Sequence, residues 1–229
     1  FNRLQTPRNG RIWAVSASQF GSLIRPCATS QRSLPFIDTV YAITYRQGSL
    51  EQPVTLAMTD SAYSLSLDIN DFRQSHVEMH PETSNDLVDG EIRVRIDKIA
   101  MTANSISYGF AGKSGLIRYL DISPASNGYA NLPCWGYGDI VQSNHLDITV
   151  GDRIYGFLPI ASHITMIPGG VSHRGFSDTR ECRAVVPPFY NEYAFTKAEP
   201  GYSAEFEEAI MLFRPLFGTS FLMQSYCED

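Results

Sequence analysis

A short stretch of strict alternation limits the folds that this chain can adopt. It follows the turn signal Asp89-Gly90 and covers residues 91–97 (EIRVRID). Successive side chains of a β-strand point to opposite faces, so this stretch predicts a strand with one buried face. The side chains predicted to face a core are Ile92, Val94 and Ile96. Those predicted to face solvent are Arg93, Arg95 and Asp97.

Further short strands are predicted on both sides of this one. They cover residues 64–69, 140–141, 153–157 and 163–167. The first alternates apolar and polar residues, and glycine-containing turn signals stand before the third, at residues 151–152, and after the last, at residues 168–170. Several short strands divided by turns are typical of a small barrel or sandwich.

The last part of the chain has a helical period instead. Residues 205–226 carry apolar side chains at nearly i, i+4, i+7 spacing and begin with three glutamates, which a helix dipole favours. Pro215 is predicted to break this region into a helix ending near Phe213 and a second starting near Thr219. The predicted fold class is therefore α+β, mainly β with a helical C-terminal tail.

Residues 1–57 differ from the rest in charge. They hold six arginines and two acidic residues, a net charge of +4, which leaves −10 for the remainder because the whole chain carries −6. Only residues 39–45 resemble a strand. The segment is either a basic arm or, as we prefer, upstream sequence read in frame before a start at Met58. The predicted division is an extra, irregular or non-native segment 1–57, a β domain 58–200 and a helical junction 201–229.

Composition argues against several classes of protein. The acidic balance does not favour a nucleic-acid partner. No apolar run approaches the ~18 residues that a bilayer span requires, so no membrane partner is predicted. The four cysteines are widely spaced, without a C-x-x-C pair, which is typical of a cytoplasmic protein with reduced thiols.

Three segments resemble the medium-chain dehydrogenase/reductase superfamily, whose members join a GroES-like β-barrel to a Rossmann domain. Residues 87–96 (LVDGEIRVRI) resemble its first strand pair. Residues 132–141 (LPCWGYGDIV) resemble the segment where zinc-type members carry G-H-E followed by G-x-V. Residues 150–156 (VGDRIYG) are similar to its G-D-R-V-x-G strand.

A closer resemblance is to one family within that superfamily, domain of unknown function 2855. Residues 100–108 (AMTANSISY), 190–193 (YNEY) and 211–221 (MLFRPLFGTSF) are similar to its pattern, in the family's order. The resemblance covers about residues 62–229. It implies a GroES-like β-barrel here, with the NAD(P)-binding Rossmann domain of full-length relatives absent from this chain, which alone would be inactive.

The resemblance also implies chemistry without zinc. Gly136-Tyr137-Gly138 stands where zinc-type members have G-H-E, and Ala103-Asn104 stands where a cysteine ligand would begin. The implied function is the substrate-side half of an NAD(P)H-dependent reductase for a carbonyl or activated alkene. The alternatives are a non-catalytic small-molecule-binding module and an inactive truncated fragment. The expected partners are a small-molecule substrate, the Rossmann domain and, as a further option, a second copy in a homodimer.

Three residues are candidates for catalysis. The resemblance places Asn104 near the nicotinamide, where its amide can donate to and accept from a substrate carbonyl. The alternative is an asparagine that caps a turn at the end of a strand. Tyr108 could give a proton to a developing enolate or alkoxide, or could simply pack at the rim of the barrel. Ser107 is a third candidate.

Two further residues are candidates for cofactor binding. Thr219 matches a threonine that lies near the cofactor in relatives, or it caps the last helix, and both could hold. Arg214 lies in an apolar setting and needs a partner, which is a cofactor phosphate, a substrate carboxylate or, as we favour, an internal acid.

Two more patterns carry an expectation. His76, Glu78 and His80 would share one face of a strand and could hold a metal ion, but an exposed edge strand explains them better. No metal is therefore predicted. An apolar helix face that would normally meet a second domain is expected to be exposed and to cause self-association. Its members are Phe213, Leu216, Phe217 and Phe221.

Overall fold

The structure, a computed structural model, describes residues 62–228 except 72, 81–86, 113–116 and 126, together with the backbone of short strands earlier in the chain. These early strands are β1 (Arg11–Trp13), β2 (Thr39–Ala42), β3 (Tyr45–Arg46), β4 (Ser49–Leu50) and β5 (Val54–Ala57). β2 pairs with β5 and β3 with β4, both antiparallel. The strand predicted in residues 39–45 is therefore present over its first part, whereas the predicted origin of residues 1–57 stays a prediction.

The rest of the chain is mainly β and ends in a helix, as the α+β class requires. Its strands are β6 (Tyr63–Asp68), β7 (Ser75–Met79), β8 (Ile92–Ala100), β9 (Tyr129–Asn131), β10 (Pro133–Ser143), β11 (Arg153–Pro159), β12 (His163–Met166), β13 (Pro168–Ser172), β14 (Gly175–Asp178) and β15 (Glu192–Phe195). Its α-helices are α1 (Ala103–Ala111) and α2 (Glu207–Glu228). Short 3₁₀ turns join them at Tyr119–Ile122, Glu181–Val185, Pro188–Tyr190, Thr196–Ala198 and Ala204–Phe206.

The main sheet curls into a half-barrel. Its strand order is β1-β8-β10-β11-β15-β14-β13, and every pairing is antiparallel except the one between β1 and β8. β12 pairs with the first half of β8, opposite β10. A smaller sheet, β7-β6-β9, attaches through a bridge between Ser64 and Ala161. Among the described helices, none combines the length and apolarity needed to cross a bilayer.

β8 confirms the predicted strand and its apolar face. Ile92 and Val94 are fully buried in one core cluster, while Ile96 is partly buried between two clusters. The solvent exposure predicted for the charged face is wrong for Arg93 and Asp97. Arg93 is only 8% exposed, and its Nη1 donates to Gln142 Oε1 at 2.7 Å. The Asp97 side chain pairs with Arg153 and is 16% exposed, whereas the Arg95 side chain is 38% exposed.

The other predicted strands are also present, as β6, β10, β11 and β12. The expected one-sided burial of β6 is wrong, since its serine face is the better covered. Ser64 and Ser66 are buried, and Ser66 Oγ donates to Asn131 Oδ1 at 3.0 Å. Leu67 belongs to a core cluster on the other face and Leu65 packs against it, so both faces of β6 meet protein.

α2 contradicts the prediction of two helices. It runs continuously through Pro215 for 22 residues. A proline removes a single backbone donor, so the turns before and after it can keep their own hydrogen bonds. The hydroxyls of Thr219 and Ser220 donate to the carbonyls of Pro215 and Leu216, each at 3.0 Å.

Candidate functional site

Four aromatic residues share one face of the half-barrel, and we call them the aromatic face. They are Trp135, Tyr137, Tyr155 and Phe157. Trp135 is paired with Phe157 and Tyr137 with Tyr155 across the antiparallel strands β10 and β11. Opposed residues point the same way, and so do residues two positions apart. The Trp135 and Tyr155 rings stack with centroids 5.6 Å apart, and those of Tyr137 and Tyr155 lie 5.0 Å apart.

α1 packs at one end of the aromatic face. Its Tyr108 is buried with its ring edge-on to Phe157 at 5.3 Å and in contact with Tyr119 and Tyr190. The hydroxyls of Tyr119 and Tyr190 lie 2.9 Å apart and share a hydrogen bond. Burial is the main cause that raises the pKa of Tyr108. Tyr108 is thus a core residue rather than a rim residue, and its hydroxyl stays protonated at neutral pH.

The start of α1 is anchored to β10. The Thr102 amide donates to Ser105 Oγ at 3.2 Å, and the Cys134 thiol donates to the same oxygen at 3.6 Å. This anchor places Asn104, half-buried, in the first turn of the helix. The alternative of a turn-capping asparagine at the end of a strand is therefore wrong.

The three predicted catalytic residues do not converge on a single point. Ser107 is exposed, and its Oγ donates to the carbonyl of Ala103 at 3.3 Å, as is common within helices. Tyr108 is buried in the core, whereas Asn104 is half-buried. Their catalytic roles stay predictions.

α2 packs at the other end of the aromatic face. Arg214 makes a bidentate ion pair with Glu199, at 2.6 and 3.0 Å, which confirms the predicted internal acid. Its guanidinium carbon lies 4.7 Å from the centre of the Tyr155 ring. Thr219 lies in the middle of α2 and is exposed, so its predicted role as a helix cap is wrong.

An ion network holds α2 against the sheet next to the aromatic face. Glu207, buried at the first position of α2, accepts from Arg153 at 2.6 and 2.9 Å, from Lys98 at 2.8 Å and from the Tyr202 hydroxyl at 2.5 Å. Arg153 also pairs with Asp97 at 2.6 Å, which explains why that predicted solvent-facing acid is largely covered. The network sets the position of α2, and with it that of Arg214.

Two hydrogen-bond donors of the aromatic face, the hydroxyls of Tyr137 and Tyr155, are buried and have no partner among the described residues. The Trp135 indole, by contrast, hydrogen-bonds with the Tyr108 side chain. Burial is the main cause that raises the pKa of both phenols, so they remain O–H donors. Buried polar atoms nearly always have a partner. Two adjacent exceptions mark the place where a polar group from outside the described residues is expected.

Sequence reasoning missed the aromatic face, although a signal was present. Aromatic residues recur at spacing two in 135–137 (WGY) and again in 155–157 (YGF). On strands, that spacing places each pair on one face. The missing step was the register that brings both pairs together, which depends on how β10 meets β11.

The three side chains considered for a metal ion, His76, Glu78 and His80, make separate contacts. His80 Nε2 hydrogen-bonds with Ser64 Oγ at 2.8 Å, and Glu78 accepts from Ser66 Oγ at 3.5 Å. The His76 ring stands edge-on to Tyr129 with centroids 4.4 Å apart. Within the described ranges, no three His, Cys, Asp or Glu side chains are grouped as metal ligands would be.

Fold and site together define a mainly β chain with an aromatic face between two helices. The chain belongs to the family described as "Protein of unknown function (DUF2855)", whose model matches residues 99–229. The matched range includes α1, the aromatic face and α2, and the description assigns no activity. No curated protein matches the sequence.

Proposed function

We propose that this chain is the substrate-side half of a zinc-independent reductase-like protein acting on a carbonyl compound or an activated alkene. Its half-barrel would be a GroES-like domain of the medium-chain dehydrogenase/reductase superfamily. The observation that supports the proposal is the pair of unpartnered buried hydroxyls on the aromatic face, those of Tyr137 and Tyr155, with α1 and α2 at its two ends. Neutral O–H donors suit a substrate oxygen on which negative charge develops.

The substrate contacts follow from the chemistry of these groups. The hydroxyls of Tyr137 and Tyr155 would donate to the carbonyl oxygen, since neither phenol can lose its proton near neutral pH. Asn104 would orient the substrate at the α1 end, because an amide can donate and accept at once. Stacked aromatic rings add apolar surface for the remainder of a small organic molecule.

The residues predicted for cofactor binding already have partners within the chain. Arg214 already pairs with Glu199 through both terminal nitrogens, and the Thr219 hydroxyl donates within α2. We therefore assign no NAD or NADP contact to this chain. In the proposal, a separate Rossmann domain binds the nicotinamide cofactor.

The same observation favours a second candidate function. A non-catalytic module would keep the aromatic face for binding a small molecule while it makes no use of a cofactor. Cofactor turnover by a longer protein that includes the Rossmann domain distinguishes the two. The third candidate is that the chain is an inactive fragment. A cytoplasmic location is part of the proposal, and the described cysteines, Cys134 and Cys182, are free thiols.

Binding of a small enone tests the proposal directly. Cyclohex-2-enone is expected to quench the fluorescence of Trp135 in a Trp13→Phe background, which leaves a single tryptophan. Tyr155→Phe removes one hydroxyl, and Asn104→Ala removes the amide. Each is expected to weaken binding about tenfold, the value of one good hydrogen bond to a ligand.

The control for this titration is Tyr129→Phe on β9, which removes a phenol that is not on the aromatic face. Its affinity for the enone should match that of the parent. If Tyr155→Phe and Asn104→Ala also bind like the parent, the aromatic face is not the substrate site.

The exposed side of α2 supports the Rossmann domain as partner. The exposed fractions of Phe213, Leu216, Phe217 and Phe221 are 64%, 47%, 70% and 58%. A patch of this kind is typical of a surface that another domain or subunit covers. We propose that the Rossmann domain covers it, with a second copy as the alternative.

The uncovered patch is expected to make this chain self-associate. Sedimentation velocity should show larger species as the protein concentration rises, and Phe217→Glu should shift the distribution towards monomer. Leu146→Glu provides the control, because Leu146 is fully exposed between β10 and β11 and lies outside the patch. A parent protein that stays monomeric at every concentration would rule out an apolar docking surface.

A further inference from the structure

A separate pocket of about 220 Å³ lies where the smaller sheet meets β8 and β12. It shares no lining residue with the aromatic face. Its lining residues are Ala62, Tyr63, Ser64, His80, Arg93, Ser123, Asn131, Pro159, Ala161, Ser162, His163, Ile164 and Thr165. The described lining thus holds one arginine and two histidines and lacks a carboxylate.

Two serine–histidine pairs order the polar side of this pocket. Ser64 Oγ hydrogen-bonds with His80 Nε2 at 2.8 Å, and Ser162 Oγ hydrogen-bonds with His163 Nδ1 at 3.0 Å. Ser162 Oγ also accepts from the Tyr63 amide at 2.9 Å, which fixes the hydroxyl in place. A serine that engages one ring nitrogen sets the orientation of the imidazole, so that the second nitrogen can meet a ligand.

Two arginines of β8 lie on the pocket side of β12. In the pairing of β12 with β8, His163 stands opposite Arg95 and Thr165 stands opposite Arg93, so these side chains share one face. Burial first, and then the charges of Arg95 and Arg93, lower the pKa of His163. The field of the two guanidinium groups therefore reaches the imidazole, even though Asp139 lies 3.2 Å from Arg95. The same field attracts an anion.

Size and chemistry together limit the ligand. Pockets for drug-sized molecules start at about 300 Å³, so this one suits a smaller compound. Arginine and imidazole N–H groups make strong, directional bonds to carboxylate and phosphate oxygens. We propose that the pocket binds a small oxyanion, a carboxylate or a phosphate, held by Arg93, His80 and His163. This site is independent of the proposed function.

Histidine NMR tests the site on the unmodified protein. Inorganic phosphate and acetate are titrated separately at constant ionic strength while the imidazole ring signals are followed. At least one anion should shift the His80 and His163 signals saturably and leave His145 and His173 unchanged. A shift with phosphate alone identifies a phosphate ligand, and one with acetate alone identifies a carboxylate. Absence of a saturable shift with both anions overturns the proposal.

Variants provide the second test. His80→Gln and His163→Gln should each weaken binding of the active anion at least fivefold, a loss on the order of one charge-assisted hydrogen bond. His173→Gln is the matched control, because His173 is exposed between β13 and β14. Thermal melting of each variant shows whether it is folded. The assignment would be contradicted if all three folded variants bound the anion with equal affinity, or if His173→Gln lost as much affinity as His80→Gln and His163→Gln.

Discussion

Replacing Glu207 by glutamine is expected to lower the free energy of unfolding by about 3 kcal/mol at neutral pH. Burial would raise the pKa of this carboxyl, but hydrogen bonds from Arg153, Lys98 and Tyr202 outweigh it and hold the pKa at about 2, below the ordinary 4.5. Glutamine keeps the shape of the side chain but leaves the two cations without the buried anion. Urea unfolding at pH 7, followed by circular dichroism, measures the loss.

The contribution of Glu207 depends on pH in a defined direction. Its folded pKa is depressed, so the folded state keeps the carboxylate charged at a pH where the unfolded chain has bound a proton. The stabilisation is complete above about pH 4.5 and is lost as the pH falls towards 2. The stability difference between the parent and Glu207→Gln should therefore shrink progressively across this range.

Glu205→Gln is the control for this experiment. Glu205 lies two positions earlier, carries the same charge near the start of the helix and is exposed. An exposed acid near a helix N-terminus contributes about 0.3–1 kcal/mol, so the control should lose far less stability than Glu207→Gln. Equal losses in the two variants would mean that Glu207 acts only through the helix dipole.

The sequence predicted the strands well because their signal is local. In β8 the alternation of residues 91–97 is visible in the chain itself, and Ile92 and Val94 are buried as expected. The fate of the charged face could not be predicted in this way. Arg93 donates to Gln142 and Asp97 pairs with Arg153, which lie 49 and 56 positions away along the chain. Only tertiary packing decides that these charges are covered.

The helical region shows where a local rule gave the wrong result. Pro215 is unfavourable inside a helix, and the rule that it ends one is sound for an isolated segment. Here Met211 is buried against the sheet before the proline and Glu207 anchors the first turn, so packing supports a continuous α2. Asn104 is a similar case, because its place in the first turn of a helix that begins after the N-cap Thr102 follows only once α1 is known to come directly after β8.

The candidate site was predictable only in part. Family resemblance directed attention to α1 and α2, and both helices do pack on the aromatic face. The internal acid expected for Arg214 was confirmed as Glu199. The two unpartnered hydroxyls could not be predicted, because the absence of a hydrogen-bond partner depends on all the surroundings of a buried atom. The pairing of β10 with β11 determines those surroundings.

The buried pair of Asp178 and Arg183 is expected to give the largest loss of stability in the chain. Arg183 is only 2% exposed, and its Nε donates to Asp178 Oδ2 at 2.9 Å. Its Nη2 donates to the carbonyl of Phe157 at 3.1 Å and also contacts the Tyr193 hydroxyl. Its Nη1 has no partner among the described residues, so no further acceptor is within hydrogen-bonding distance of this guanidinium group there. Asp178→Asn is expected to cost about 3 to 5 kcal/mol, because it leaves a buried charge uncompensated.

Two comparisons identify the buried charge as the cause. Asp152→Asn breaks an ion pair of similar length, 2.6 Å, but its partner Lys197 is 57% exposed, so the cost should stay below about 1 kcal/mol. Adding Arg183→Met to Asp178→Asn removes the unpaired cation and should restore part of the lost stability, since Arg180 can turn its charge to solvent. Urea unfolding of the single and double variants gives both values. If Asp178→Asn costs no more than Asp152→Asn, or if the double variant is less stable than Asp178→Asn, desolvation of Arg183 does not determine the stability of this core.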